Sequence, residues 1–167
     1  MTVDRERADL IAALAEQRRL FNITLRGLSD EQARQRTTVS ELTLGGLLHH
    51  LVATERHWIQ VIIERDENSE FDVAGMDSQY RLGPDETVAG LLADWDVVTA
   101  QTEKLIREVD SFDTPIPIPT APWAPEREWW PVRVILFNIF REIAHHSGHA
   151  DIIRESLDGA NTTYQRV

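Results

Sequence analysis

No cysteine occurs in this chain. Disulfides, thiolate metal sites and a cysteine nucleophile are therefore excluded, and any thiol chemistry has to import its thiol. No apolar run approaches the ~20 residues needed to cross a bilayer. Positive charge is scarce as well: 17 basic residues stand against 28 acidic ones, for a net charge of −11. A nucleic-acid partner requires a basic face that displaces counterions, and an anionic membrane surface repels such a chain, so neither is expected. The partners left are a small molecule or a second copy of the chain.

What is present suits one helical domain over residues 1–167. The 167-residue length fits a single core, and 42% apolar with 27% charged residues is a globular composition. The opening MTVDRERADL is charged and then amphipathic, unlike a secretory signal, so a cytoplasmic location is expected. Four segments carry helical spacing. The first runs from about Asp4 to Leu25, with Gly27 as its stop and a capping box at Ser29 and Gln32 behind it. The second runs from about Thr43 to Glu64, with Leu44, Leu47, Leu51, Trp58 and Ile62 in phase. Gly45 and Gly46 weaken its start and leave room for the close approach of a neighbouring helix or of a ligand. The third starts near Asp85-Glu86 and ends near Val109; the last starts at Pro131 and ends at Gly159. Between them, Pro115, Pro117, Pro119, Pro122 and Pro125 forbid helix and favour extended geometry. That stretch also carries Trp123, Trp129 and Trp130, which either plug one end of the bundle or wall a pocket. No segment reads as a strand. The expected fold is all-α, a four-helix bundle with long inter-helix connections.

The six histidines are clustered. His49, His50 and His57 fall on the second helix, and His145, His146 and His149 on the last. A core stripe on the last helix steps by four and three through Ile135, Ile139, Glu142, His146, His149 and Ile153. Its middle is polar where the pattern demands apolar side chains. Glu142 and His146 are four apart, hence about 40° apart on one face, and both can reach one ion. An unpaired carboxylate inside a protein is costly, and a metal ion removes that cost. A third ligand comes from the second helix. His50 shares a face with Leu47, Thr54 and Trp58, whereas His49 points about 100° away. His50, Glu142 and His146 are thus the candidate metal ligands. His145 with His149 is the rival pair, and His57 reads as a surface or supporting residue. Two imidazoles and a carboxylate suit zinc, with nickel, iron or manganese as alternatives, and three protein ligands leave a position open.

The segment EIAHHSGHADIIRE at 142–155, followed by Leu157-Asp-Gly159, resembles the last-helix motif of the DinB-like (YfiT-like) superfamily, in particular its actinobacterial mini-circle-type branch. LGGLLHHLVATERHW at 44–58 resembles that branch's second-helix motif. The resemblance implies a bundle with a metal site at its core, often a homodimer, and relatives that use mycothiol or bacillithiol. One of these is the mycothiol-dependent maleylpyruvate isomerase, whose metal-binding domain is similar. Carried over by position, the relatives' ligands fall on His50, Glu142 and His146. Many DinB relatives have His in place of Glu142 and Gln in place of His149; the Glu matches the isomerase-like pattern.

The expectation is a divalent-metal-dependent enzyme, a thiol-dependent S-transferase or isomerase acting on a small electrophile with mycothiol as cosubstrate. A metal-dependent hydrolase of a small ester or amide and a non-catalytic metal-stabilised dimer are the alternatives. In the leading reading His149 orients a ligand or handles a proton. Arg154 binds a carboxylate of thiol or substrate, or else forms a salt bridge with Asp151 or Glu155. Trp58 and the Trp123–Trp130 loop wall the pocket.

Overall fold

The computed structural model describes residues 3–76 and 78–166. The one-domain expectation also takes in Met1, Thr2, Asp77 and Val167, which lie outside the described residues. The four long helices are α1 (Val3–Ile23), α3 (Leu44–Glu64), α4 (Val88–Glu108) and α5 (Val132–Asp158). Single helical turns form α2 (Asp30–Ala33) and α6 (Thr162–Gln165). Helix α1 packs on α4 and α5, and α3 on α4 and α5, so the four close a ring. The buried apolar side chains form one cluster inside that ring, with Phe21, Leu47, Leu51, Ile59, Trp95, Ile106, Ile135 and Ile139 among its members. Each large apolar side chain buried this way contributes roughly 1.5–3 kcal/mol.

Local chemistry sets the helix ends. Thr43 accepts the Gly46 N–H at 3.1 Å and starts α3, and Thr87 accepts the Gly90 N–H at 3.0 Å and starts α4. The expected start at Asp85-Glu86 is therefore shifted, because Thr87 takes the cap. The Glu86 carboxylate instead accepts the Gly83 N–H at 2.7 Å. The Ser29–Gln32 capping box forms as expected. Pro131 immediately precedes α5 and carries no capping side chain. The first N–H groups of α5 go to loop carbonyls instead, Val132 to Thr114 and Arg133 to Phe112, both at 3.0 Å. Gly159 ends α5 with φ +80°, a left-handed conformation suited to glycine.

The proline-rich stretch departs from expectation. Strands β1 (Pro115–Pro117) and β2 (Trp129–Pro131) pair antiparallel, with Ile116 opposite Trp130. The prolines exclude helix and leave the chain extended, and three residues are too few for an alternating pattern to show. This hairpin is tied to the connection between α3 and α4. The Phe71 N–H donates to the Thr120 carbonyl at 2.8 Å. The Arg127 guanidinium donates to the carbonyls of Ser69 at 3.0 Å and Ile118 at 2.7 Å. The two long connections thus lie against each other, alongside α3.

Candidate metal centre

Helices α3 and α5 face each other, and their polar residues meet at one point. His50 is buried on α3, and His146 is buried on α5 one turn after Glu142. A Glu142 carboxylate oxygen lies 3.7 Å from His50 Nε2 and 3.6 Å from His146 Nε2. The three donor atoms lie within 4.8 Å of one another. Ligands held at ~2.0–2.1 Å from a tetrahedral ion stand about 3.4 Å apart, so the spacing and the donor chemistry fit a divalent cation. The carboxyl of Glu142 is held well below the usual carboxylate range, first by the His146 imidazole and then by His50, with burial opposing them. It is an anionic donor at neutral pH.

The surroundings fix the imidazoles. The Tyr80 ring stacks on His50 with centroids 4.1 Å apart and 22° between planes. Its position depends on Gly46: a Cβ there would fall 1.9 Å from the Tyr80 carbonyl oxygen, so only glycine lets the loop backbone cross α3 at this point. Gly45 makes similar room for Leu82 and the Ala33 carbonyl. What approaches Gly46 is thus loop backbone, and not the neighbouring helix or ligand expected there. Burial and the charge of Glu142 push the Tyr80 phenol up. His149 Nδ1 lies 3.2 Å from His146 Nδ1. Burial, and then the neighbouring His145 and His146, push the His149 imidazole down, which suits an acceptor role toward His146.

Glu142 and His50 border a cavity of about 530 Å³, whose other walls include Trp58, Trp130, Gln79, Asn138 and Arg141. Its size falls in the ~300–1,000 Å³ range of small-molecule sites. Trp58 lines it as expected, stacked on Trp130 at 5.7 Å. Of the three loop tryptophans, only Trp130 lines this cavity; Trp123 and Trp129 are exposed and stand outside it.

Several readings are corrected. Arg154 does not face the cavity. It is buried, and its guanidinium donates to the carbonyls of Thr24 at 2.8 Å and Arg26 at 2.9 Å and pairs with Asp158 at 2.9 Å. It fastens the end of α1 to α5, and neither the carboxylate-binding role nor a pairing with Asp151 or Glu155 is its arrangement. His57 is not a surface residue: it stands edge-on to Trp58 and Phe71 in the cavity wall. His49 turns away as expected and pairs with Glu86 at 2.9 Å. The rival His145 is exposed, packed on His149 with ring centroids 4.5 Å apart. Sequence reasoning missed Tyr80, Phe71 and Asn138. Asn138 alone left a signal, as a polar residue one turn before Glu142 between core positions Ile135 and Ile139.

Fold and site together define a mainly helical, DinB-like protein with a His–Glu–His cluster open to a cavity. More narrowly, the chain belongs to the mycothiol-S-transferase family, whose model matches residues 9–159. No curated protein matches it significantly. The crystal structure of a conserved protein from Enterococcus faecalis is similar in fold, with a TM-score of 0.67 at 15% identity. That likeness covers 96% of this chain and 99% of the other.

Proposed function

We propose that the chain is a divalent-metal-dependent S-transferase or isomerase that uses a low-molecular-weight thiol of the mycothiol type on a small electrophile. The observation that supports this most is the His50–Glu142–His146 cluster at the edge of a substrate-sized cavity, in a member of this family. These three residues hold the cation; zinc suits the donor set best, and nickel, iron or manganese also fit it. A cation bound there supplies a Lewis acid that favours the deprotonated form of a thiol.

The chain's own residues do the rest. With His146 Nε2 turned to the cluster, its Nδ1 carries the proton and donates to His149, which fixes tautomer and ring plane. His149 is therefore a positioning residue in this reading. Tyr80 locks the plane of His50 by stacking. Arg141, on the cavity wall with its guanidinium 2.9 Å from Glu142, takes over the anion-contacting role expected of Arg154. Asn138 offers an amide to the polar part of the thiol. In transfer, a sulfur–carbon bond forms, the bond from carbon to the leaving group breaks, and the leaving group keeps the electron pair. The thiol proton passes to solvent.

The test is turnover of an electrophile panel by zinc-loaded protein, with and without mycothiol. Thiol-dependent turnover is expected, with at least a 100-fold loss and loss of bound zinc in His146→Ala. Absence of thiol-dependent turnover with metal bound overturns the proposal. Ester or amide turnover without thiol replaces it with a hydrolase.

A further inference from the structure

Beside the main cavity lies a second chamber of about 330 Å³. Its walls include Trp58, Phe71, Trp123 and Trp130, with Ile118 and Pro119. The two spaces share His57, Trp58, Phe71 and Trp130 in their linings, so they adjoin along these rings. The rings form a series: Trp130 lies parallel to Trp58 at 17°, His57 stands edge-on to Trp58 and to Phe71, and Phe71 meets Trp123 at 5.5 Å. Trp123 is 61% exposed, yet the hairpin holds it at the chamber's wall.

The carboxylates dominate the charge around the chamber. Glu126 and Glu128 line it, and Glu70 and Asp72 line the adjoining cavity. The Trp130 Nε1–H donates to Glu128 at 2.8 Å and keeps that carboxylate at the wall. Arg127 beside it is committed to the Ser69 and Ile118 carbonyls, and Arg141 lines the main cavity beside Glu142 but not this chamber. Aromatic walls bind planar rings by stacking and edge contacts, and carboxylates repel anions and favour cations over ring faces.

We infer that this chamber holds a planar aromatic group, uncharged or cationic, and that this group is one end of the electrophilic substrate. Trp58 lies eight residues beyond His50, about 12 Å along the helix axis. The substrate is accordingly elongated, with its ring in the chamber and its electrophilic carbon toward the His50 end of the main cavity. The assignment of the ring to the electrophile rests on the thiol-transfer reading; the chamber's preference for such a ring does not.

Binding is tested by calorimetry on metal-free, thiol-free protein, with 2-naphthylmethanol and 2-naphthoate as probes. The alcohol is expected to bind at least 10-fold more tightly than the carboxylate. Trp123→Ala is expected to weaken the alcohol at least 5-fold, and Glu126→Gln with Glu128→Gln to narrow the gap between the probes. Equal binding of the two probes, or no effect of Trp123→Ala, overturns the inference. With zinc and mycothiol, the kcat/KM ratio of a naphthylmethyl halide over a methyl halide is expected to fall at least 5-fold in Trp123→Ala. An unchanged ratio removes the ring from the electrophile. Selective binding of the alcohol without any thiol-dependent turnover leaves the chamber standing and sinks the transferase reading instead.

Discussion

Two carboxylates point into this bundle from facing helices, and their neighbours differ. Glu55, on α3, is 1% exposed and brings its own cation, because the buried guanidinium of Arg18 on α1 pairs with it. Trp95 Nε1–H and the Thr102 hydroxyl, both from α4, donate to it at 2.8 and 2.5 Å. That knot ties three helices and is electrically complete. Glu142, on α5, meets two imidazoles, and the one guanidinium paired with it among the described residues, that of Arg141, is 70% exposed. The first carboxylate is neutralised from within the fold. The second is left with donors facing a cavity. A site shows itself here as the polar cluster that the protein does not complete with its own charges.

The largest effect expected follows from the complete knot. Glu55→Ala leaves Arg18 buried without a counter-charge and should destabilise the fold by about 3–5 kcal/mol, measured by denaturant unfolding. Glu142→Ala, without added metal, should cost no more than about 1 kcal/mol. Comparable losses would erase the distinction between the two carboxylates. Next in size is the response to metal. Zinc at 100 times its dissociation constant should stabilise the native chain by about 2.7 kcal/mol. Glu142→Ala and His146→Ala should lose that gain, while Arg154→Gln should keep it, having no place at the cluster. Thermal melts with zinc and with chelator check all three.

How much was legible from the sequence follows the same division. The helices and most caps were, because apolar spacing and Thr, Ser and Gly at the ends act locally. The convergence of His50, Glu142 and His146 was legible because Glu142 and His146 interrupt a core stripe on one helix and His50 lies on an inward face of another. Arg154 misled, since a helical position fixes the face but not the partner, and its partners are carbonyls about 130 residues away in sequence. Tyr80 left no periodic trace, because a loop has no period. The pair Gly45-Gly46 told of a close approach, but of a helix or a ligand, where at Gly46 it is the loop backbone at Tyr80 that comes near. The Glu55 knot escaped for a related reason: a single Glu among helical residues reads as solvent-facing until Arg18 and Trp95 are seen against it.

Gly46 sharpens the view of how the cluster is framed. Gly46→Ala places a Cβ where the Tyr80 carbonyl stands, so the loop has to move and the stack on His50 opens. The expected cost is about 1–3 kcal/mol, with zinc affinity reduced roughly 10-fold, the lower end of the range for lost supporting contacts. Gly148 is the control, since nothing lies within 4 Å of a Cβ added there. Gly148→Ala should stabilise α5 by about 0.5–1 kcal/mol and leave zinc affinity unchanged in a competition titration.

The smallest effect concerns the cavity wall. Burial lowers the His57 imidazole below its ordinary value, against a weaker opposing pull from Glu64. The unfolded chain therefore binds a proton at His57 more readily than the folded one. Above the ordinary imidazole value both forms are neutral and the residue makes no pH-dependent difference; as pH falls through about 6.5 and on toward the lowered folded value, stability is lost. His57→Gln removes that titration, so its unfolding free energy should fall less steeply than the native chain's between pH 7 and pH 5. The measurement belongs on chelated protein, so that pH-dependent metal binding does not mask it. Parallel stability–pH curves for the two proteins would mean that His57 is solvated in solution, and that the aromatic lining the two chambers share is looser than its packing against Trp58 and Phe71 implies.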